Sequence, residues 1–234
     1  MTDHRVPGSL ETVMTIAALT WKRLARGRAL WVGVIISSLL VPFASAVRSS
    51  GNAGTGEELI MFALLTLAVV PPMFVSSSIG EEIEERTTTY LWSRPVPRWT
   101  VLAGKLATLV PVTIVLAVGS WSLAMLVGPQ RPPSPESCLA LAAGVTAISM
   151  MAAGIATLVP KHGMPLSICY MLFFDLPIGA MPISLSELSI THHVYTLTGM
   201  FRDGATMPRS LLALAILCAV WGTVAIWRIR RLEV

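Results

Sequence analysis

Apolar residues recur along this chain in blocks of about twenty, and short stretches rich in charge separate the blocks. An α-helix rises about 1.5 Å per residue, so a block of this length crosses the roughly 30 Å hydrocarbon core of a bilayer. Backbone in lipid must satisfy its own hydrogen bonds, which leaves helices or closed barrels, and the alternating pattern of barrel strands is absent. We therefore predict an all-α membrane protein with six transmembrane helices, at residues 29–47, 58–79, 101–127, 138–159, 164–182 and 208–227.

Two segments outside these spans show a different pattern of polarity. Within residues 9–27, apolar side chains recur every three or four positions. This spacing predicts an N-terminal amphipathic interfacial helix with Trp21 at headgroup depth, and a helix packed on a soluble partner is the alternative. Residues 183–207 are amphipathic but too polar to span, so we expect short re-entrant helices at the outer surface.

The distribution of lysine and arginine predicts the orientation in the membrane. With the N-terminus in the cytoplasm, the inner side holds 13 of these 17 residues and the outer side four. Basic residues favour the cytoplasmic side, so both termini are expected there, in a multi-pass protein of the bacterial inner membrane. The net charge of +4 reflects this bias, and the chain lacks the basic soluble face that nucleic-acid binding requires. Residues 1–234 are predicted to form a single transmembrane domain.

The familiar catalytic motifs are incomplete in this sequence. Glu81, Glu82 and Arg86 fit the EExxxR motif of membrane-embedded proteases, but the companion histidine motifs of those enzymes are missing. Gly104-Lys105 lacks the remaining residues of a phosphate-binding loop. The adjacent pair His192-His193 would point about 100° apart on a helix, which does not suit a shared metal ion. We predict no catalytic residue, no metal site and no cofactor held by this chain.

Asp175 lies about eleven residues into the predicted fifth span. A charge at mid-bilayer costs roughly 2.5–3.5 kcal/mol on insertion scales, so one interpretation is an intramembrane polar site facing a neighbouring helix or cavity. The other is that the helix ends at Asp175-Leu176-Pro177 and the carboxylate lies near the outer surface. Both interpretations stay open at this point.

The most charged stretch of the chain follows the second predicted span, at residues 79–98. Four of the five positions from Glu81 to Glu85 are acidic, residues 86–92 could form a short helix, and Pro95 and Pro97 then interrupt it. Acids on the inner face would be repelled by anionic headgroups. A protein partner with basic groups and a solvated loop are therefore the two interpretations that composition allows.

The run IGEEIEERTTTYLWSRPVPRWTVLAGKLA resembles the cytoplasmic loop of ABC transporter permeases of the type-2 exporter (ABC-2) family. In that family an acid-rich turn is followed by E-x-G-T, a leucine-rich turn, S-R-P-V-S-R and G-K. Arg86 or Thr87 stands here where glycine is common, and Pro97 replaces the common serine. The matching positions are Glu81, Glu82, Glu85, Arg86, Thr87, Thr88, Leu91, Ser93, Arg94, Pro95, Val96, Arg98, Gly104 and Lys105.

The resemblance implies a permease without a nucleotide site of its own, in which residues 80–100 form a cytoplasmic coupling loop. A short coupling helix in this loop would dock on separate ABC ATPase subunits, which bind the ATP and magnesium. A second permease copy, identical or related, would complete the pore of an exporter. The residues implied in docking are Glu81, Glu82, Glu84, Glu85, Arg86, Thr87 and Thr88, and those implied in anchoring the loop are Arg94, Pro95, Arg98 and Lys105.

Two other functions remain open on the sequence. Some relatives transmit force to a periplasmic accessory protein, as in metalloenzyme maturation or surface assembly, without exporting a small substrate. The second alternative is a proton-driven secondary transporter in which Asp175 carries the proton.

Overall fold

A computed structural model describes residues 8–50, 56–84, 98–199 and 207–231, and at residues 56–57, 81–84 and 98 only their backbone. The N-terminal half contains α1 (Ser9–Arg26), α2 (Arg28–Ser38), α3 (Leu40–Ser49), α4 (Gly56–Glu84) and α5 (Arg98–Val127). The remainder contains α6 (Pro135–Leu158), a 3₁₀ turn (Pro160–His162), α7 (Gly163–Tyr170), a π turn (Met171–Asp175), α8 (Leu176–Ala180), a second 3₁₀ turn (Ser184–Leu188), α9 (Ile190–Leu197) and α10 (Met207–Arg231).

The predicted six apolar helices are confirmed, and no strand occurs in the described ranges. Their bounds differ from the prediction by only a few residues, because hydrophobic length rather than detailed packing determines where a span begins and ends. We number them in chain order as spans one to six: Arg28–Ser49, Glu58–Gly80, Trp99–Val127, Pro135–Leu158, Pro160–Ala180 and Met207–Arg231.

Spans two and four form the centre of the bundle. In their most apolar stretches 72% and 67% of the residues are buried, against at most 33% in the other spans. Small residues on span four allow close approach: a Cβ at Gly144 would lie 2.6 Å from a methyl of Val194, and one at Gly154 would lie 2.6 Å from the Trp221 ring. Close packing of small residues is a usual way for membrane helices to associate.

Span five is interrupted in its C-terminal half. The sequence predicts one helix over residues 164–182, but α7 changes to a π turn at Met171 before the short α8. Pro177 has no backbone N–H and its ring crowds the carbonyl of Phe173, which accounts for the wider turn just before it. The helix nevertheless continues to Ala180, so the interpretation of Asp175 as a helix terminator is wrong.

The N-terminal helix α1 packs along the first turns of span three. The Thr108 hydroxyl donates to the carbonyl of Ala17 at 3.0 Å, and the closest approach occurs at Gly104. On the other side of α1 large apolar side chains, including Met14 and Trp21, are exposed. One face of α1 therefore lies on the bundle and another offers apolar surface to its surroundings; its predicted position in the membrane interface stays a prediction.

Gly104→Ala is expected to destabilise the protein by about 1–3 kcal/mol, because overpacking a close contact forces neighbouring atoms apart. The new Cβ would lie 2.8 Å from the Ile16 side chain and 2.9 Å from the carbonyl oxygen of Val13, so α1 has to shift. Thermal unfolding of the detergent-solubilised protein, followed by circular dichroism, measures the effect. Gly119→Ala is the matched control, since it lies in the same helix with open space around its Cβ. Equal midpoints for the two variants would contradict this account.

Candidate functional site

The predicted coupling loop joins two helices that meet at one end of the bundle. The helix of span two continues to Glu84 and that of span three begins at Arg98. Residues 80–84 and 98–100, which the sequence assigns to the loop, are thus helical. Glutamate has a high helix propensity, and no glycine or proline follows Gly80 before Pro95, so the acid-rich stretch can extend the helix.

The predicted docking and anchoring residues are only partly within the described ranges. Glu81, Glu82 and Glu84 lie in the last turn of α4, and Arg98 is the first residue of α5. Outside the described residues lie Glu85, Arg86, Thr87, Thr88, Arg94 and Pro95.

Lys105 connects the two helices that flank the loop. Its side chain is only 4% exposed, and its ammonium donates a hydrogen bond to the backbone carbonyl of Ser78 on span two. A buried ammonium requires such an acceptor, because burying an unpaired charge is costly. Both residues lie about two turns from the helix ends at Glu84 and Arg98, so this contact ties the two spans directly behind the loop.

The C-terminal half of span two also contacts the 3₁₀ turn with which span five begins. A Cβ at Gly80 would lie 2.8 Å from the carbonyl oxygen of Pro160, so the helix and this turn are in close contact. Deeper in the bundle, the hydroxyl of Ser76 donates at 3.2 Å to the carbonyl of Ala152 on span four and lies 3.2 Å from the hydroxyl of Ser167 on span five. Span two is therefore held by spans three, four and five.

Asp175 lies toward the C-terminal end of span five and caps α9. Its carboxylate is 2% exposed. One oxygen accepts from the N–H of Ile190 at 2.9 Å, and the other accepts from the N–H of Thr191 at 2.9 Å and from the Thr191 hydroxyl at 2.6 Å. The positive end of α9 and these three donors satisfy the buried charge, so Asp175 faces a neighbouring element of the chain.

A second contact strengthens this junction. The Ser189 hydroxyl accepts from the N–H of His192 at 3.2 Å and donates to the backbone carbonyl of Asp175 at 2.9 Å. A Cβ at Gly179 would lie 2.6 Å from the same hydroxyl, so only glycine allows this approach. Span five and the start of α9 are thus joined through both side-chain and backbone groups.

The segment between spans five and six, called the outer segment because it is predicted to lie on that side of the membrane, makes further contacts within itself and with span six. His193 Nε2 donates to the carbonyl of Glu187 at 2.9 Å, and burial lowers the pKa of this histidine from its ordinary value of 6.5. At the surface, the Arg209 guanidinium donates to the Glu187 carboxylate at 2.7 Å. The segment expected to form short outer helices contains α9 and a 3₁₀ turn, and its depth in the membrane stays a prediction.

Sequence reasoning missed the contacts that link the spans at the end of the bundle nearest the charged loop. Ser76, Ser167 and Gly80 are small residues inside apolar blocks, and that composition is the only signal that they carry. Small and weakly polar residues are enriched where membrane helices touch, but the sequence does not say which residue meets which.

Comparison with known families identifies the chain. The family model described as ABC-2 family transporter protein matches residues 20–185, which is more than two thirds of the chain and includes spans one to five and the charged loop. None of the curated proteins searched matches this chain. With its six apolar helices, the protein is a multi-pass membrane protein that belongs to the ABC-2 transporter family, as a permease subunit of an ABC transporter.

Proposed function

We propose that residues 81–98 form the docking site for a separate ABC ATPase, and that this chain converts the movement of that ATPase into the opening of an export pathway. One observation carries the proposal. The loop is a short connection between two helix ends that Lys105 ties together, and span two is in turn packed on spans four and five. Movement of one helix end is then passed to the other through the Lys105 contact, and to spans four and five through the contacts of Ser76.

The acids of the last turn of α4 and Glu85 suit a basic docking surface. Opposite charges across an interface determine partner choice and register more than raw affinity. For ATP to drive a change in the permease, it must bind one state of the ATPase pair more tightly than the other. The coupling loop would transmit this difference in binding free energy to the permease, because its position changes when the ATPase pair closes.

A continuous series of contacts leads from this loop to the outer side. Span two contacts span five through Ser76 and Ser167, and span five contacts α9 through Asp175. We infer that displacement of span two at its inner end shifts span five and with it the outer segment. Hydrogen bonds with discrete partners suit such a transition, since they favour one of two arrangements over intermediate ones.

The remaining features of the proposal concern the assembly. Spans one, five and six are largely uncovered, with 22%, 28% and 17% of their apolar stretches buried, which leaves surface for lipid and for a second permease copy. The basic residues at the end of span six, Arg228, Arg230 and Arg231, fit a cytoplasmic C-terminus in a bacterial inner membrane.

The hydrogen bonds of Asp175 weigh against the proton-driven alternative. A proton carrier must exchange its proton with water during transport, whereas this carboxylate is buried and both of its oxygens are occupied by three hydrogen bonds from the start of α9. We propose a capping role for Asp175 in place of a transport role.

The proposal predicts that affinity-tagged protein, purified from its native membrane in mild detergent, carries an ABC ATPase in stoichiometric amount. ATP hydrolysis by the complex should be sensitive to vanadate.

The proposal also predicts on which side of the membrane the loop lies. A cysteine introduced at Thr88 should react with a membrane-impermeant maleimide only from the cytoplasmic side. Cys169, which is exposed, is replaced by serine so that it does not contribute signal. Purification without any nucleotide-binding subunit, or labelling from the outside, would refute the proposal.

A further inference from the structure

A cavity of about 160 Å³ opens where α1 meets span one. Gly27 lies between the two helices in an extended conformation, and the cavity forms beneath this junction against spans two and three. The residues that line it are Thr20, Arg23, Leu24, Gly27, Arg28, Ala29, Phe74, Ser77, Ser78 and Leu109. None of them belongs to the predicted docking loop, so the cavity is separate from the site described above.

The lining of the cavity is amphiphilic. Leu24, Phe74 and Leu109 supply an apolar floor, and two arginines, Arg23 and Arg28, stand at its edge with exposed side chains. Arg28 forms no hydrogen bond or ion pair within the described ranges, so its guanidinium is available to a ligand. The hydroxyls of Thr20 and Ser77 donate to carbonyls of their own helices, so Arg28 is the charged group of the lining that is available for recognition.

Exposed tryptophans on both sides of the junction fit a position of this cavity at the membrane–water boundary. Trp21 lies on α1 before the junction and Trp31 one turn after it, with 50% and 66% of their surfaces exposed. Tryptophan is enriched at headgroup depth, where one end of the indole is apolar and the other can reach water. The cavity also lies at the same end of the bundle as the loop, because Ser77 and Ser78 line it.

From this combination we propose that the cavity is a binding site for one anionic phospholipid. The headgroup phosphate would pair with Arg28, since arginine binds phosphate with a fork of parallel N–H donors, and the positive charge of Arg23 at the same edge would add to the attraction. The glycerol and upper acyl chain would lie on the apolar floor. A lipid fits these properties better than a protein segment, because the opening lies between the exposed apolar faces of α1 and of span one, a helix long and apolar enough to cross the bilayer. The inference is independent of the proposed ATPase coupling.

The test uses the full-length protein in detergent and native mass spectrometry, without ATPase or nucleotide. The wild-type chain should retain one phosphatidylglycerol at least about fivefold more tightly than phosphatidylethanolamine, as expected for the gain from one or two arginines near an anionic group. The double variant Arg23→Gln/Arg28→Gln should lose this preference. The matched control Lys22→Gln/Arg26→Gln removes the same charge from neighbouring positions that do not line the cavity, and it should bind within about twofold of wild type.

Three results would overturn the proposal: no preference between the lipids, an equal loss in both double variants, or displacement of the lipid by glycerol 3-phosphate at comparable concentration. Equal binding of the two lipids would show that the cavity does not recognise the headgroup. An equal loss in both double variants would indicate a diffuse electrostatic effect, and displacement by glycerol 3-phosphate would indicate a site for a soluble phosphate. Ala29→Phe provides an independent check if the arginine variant fails to fold. It fills the cavity and leaves every charge in place, so it should also reduce retention, and wild-type retention in this variant would equally overturn the proposal.

Discussion

Reversing Glu82 and Glu85 to lysine should abolish stimulation of the partner ATPase, while the protein still inserts into the membrane. If both acids face basic groups, each reversal replaces an attraction by a repulsion, and truncating one partner of a buried charge pair already costs about 2–5 kcal/mol. Two reversals would therefore weaken docking by at least about a thousandfold. The measurement is ATP hydrolysis and co-purification of the complex, with membrane insertion checked in parallel.

The control for charge reversal is the pair Glu136→Lys and Glu187→Lys. It changes the net charge by the same amount at exposed positions at the start of span four and between spans five and six, at the end of the bundle opposite the loop. We expect the control to keep most of the stimulation. An active complex purified from the Glu82→Lys/Glu85→Lys protein would exclude these acids as docking residues and would leave the family assignment intact.

Asp175→Ala should detach the outer segment and lower the free energy of unfolding by about 3–5 kcal/mol, as when one partner of a buried charged interaction is removed. The variant leaves the N–H groups of Ile190 and Thr191 and the Thr191 hydroxyl without their acceptor in a buried place. A cysteine at Val194, which is fully buried in the native protein, reports the detachment. In a Cys169→Ser background, its rate of reaction with a maleimide should rise at least about tenfold, because a loss of 1.4 kcal/mol of local stability already gives that factor.

Glu187→Ala serves as the comparison for Asp175→Ala. It removes an acid from the same outer segment, but its ion pair with Arg209 is solvent-exposed, at 59% and 63% of the two side chains, so we expect at most about 1 kcal/mol. Native-like labelling of Val194→Cys in the Asp175→Ala protein, together with loss of transport driven by a proton gradient, would instead support the secondary-transporter alternative.

The fold was predictable to the extent that it depends on hydrophobic length. Six apolar blocks identify six spans, whatever their packing. The change to a π turn in span five was not predictable, because Pro177 signals a disturbance but leaves open whether the helix kinks, ends or widens. The close contact of α1 with Gly104 was also not predictable, since a glycine in a membrane helix indicates a close neighbour without identifying it.

The candidate site shows the same division. The charged loop stands out in composition, and the ABC-2 resemblance that it carries is confirmed by the family match. The role of Asp175 depends on donors 15 and 16 residues further along the chain, and local sequence contains no information on that pairing. The sequence alone indicates that a carboxylate in a membrane span costs free energy. Only the tertiary structure shows that this one accepts hydrogen bonds from the start of α9.

The π turn in span five has a consequence for how side chains are sorted around that helix. Met171–Asp175 accommodates one more residue per turn than an α-helix, so successive side chains spread around the axis at smaller angles. Phe173 and Phe174 both point outward, with 71% and 58% of their surfaces exposed, while the next residue buries a carboxylate. The widened turn thereby lets three consecutive side chains face different surroundings. The two aromatic rings face outward, as suits contact with hydrocarbon, and the carboxylate faces its hydrogen-bond donors on α9.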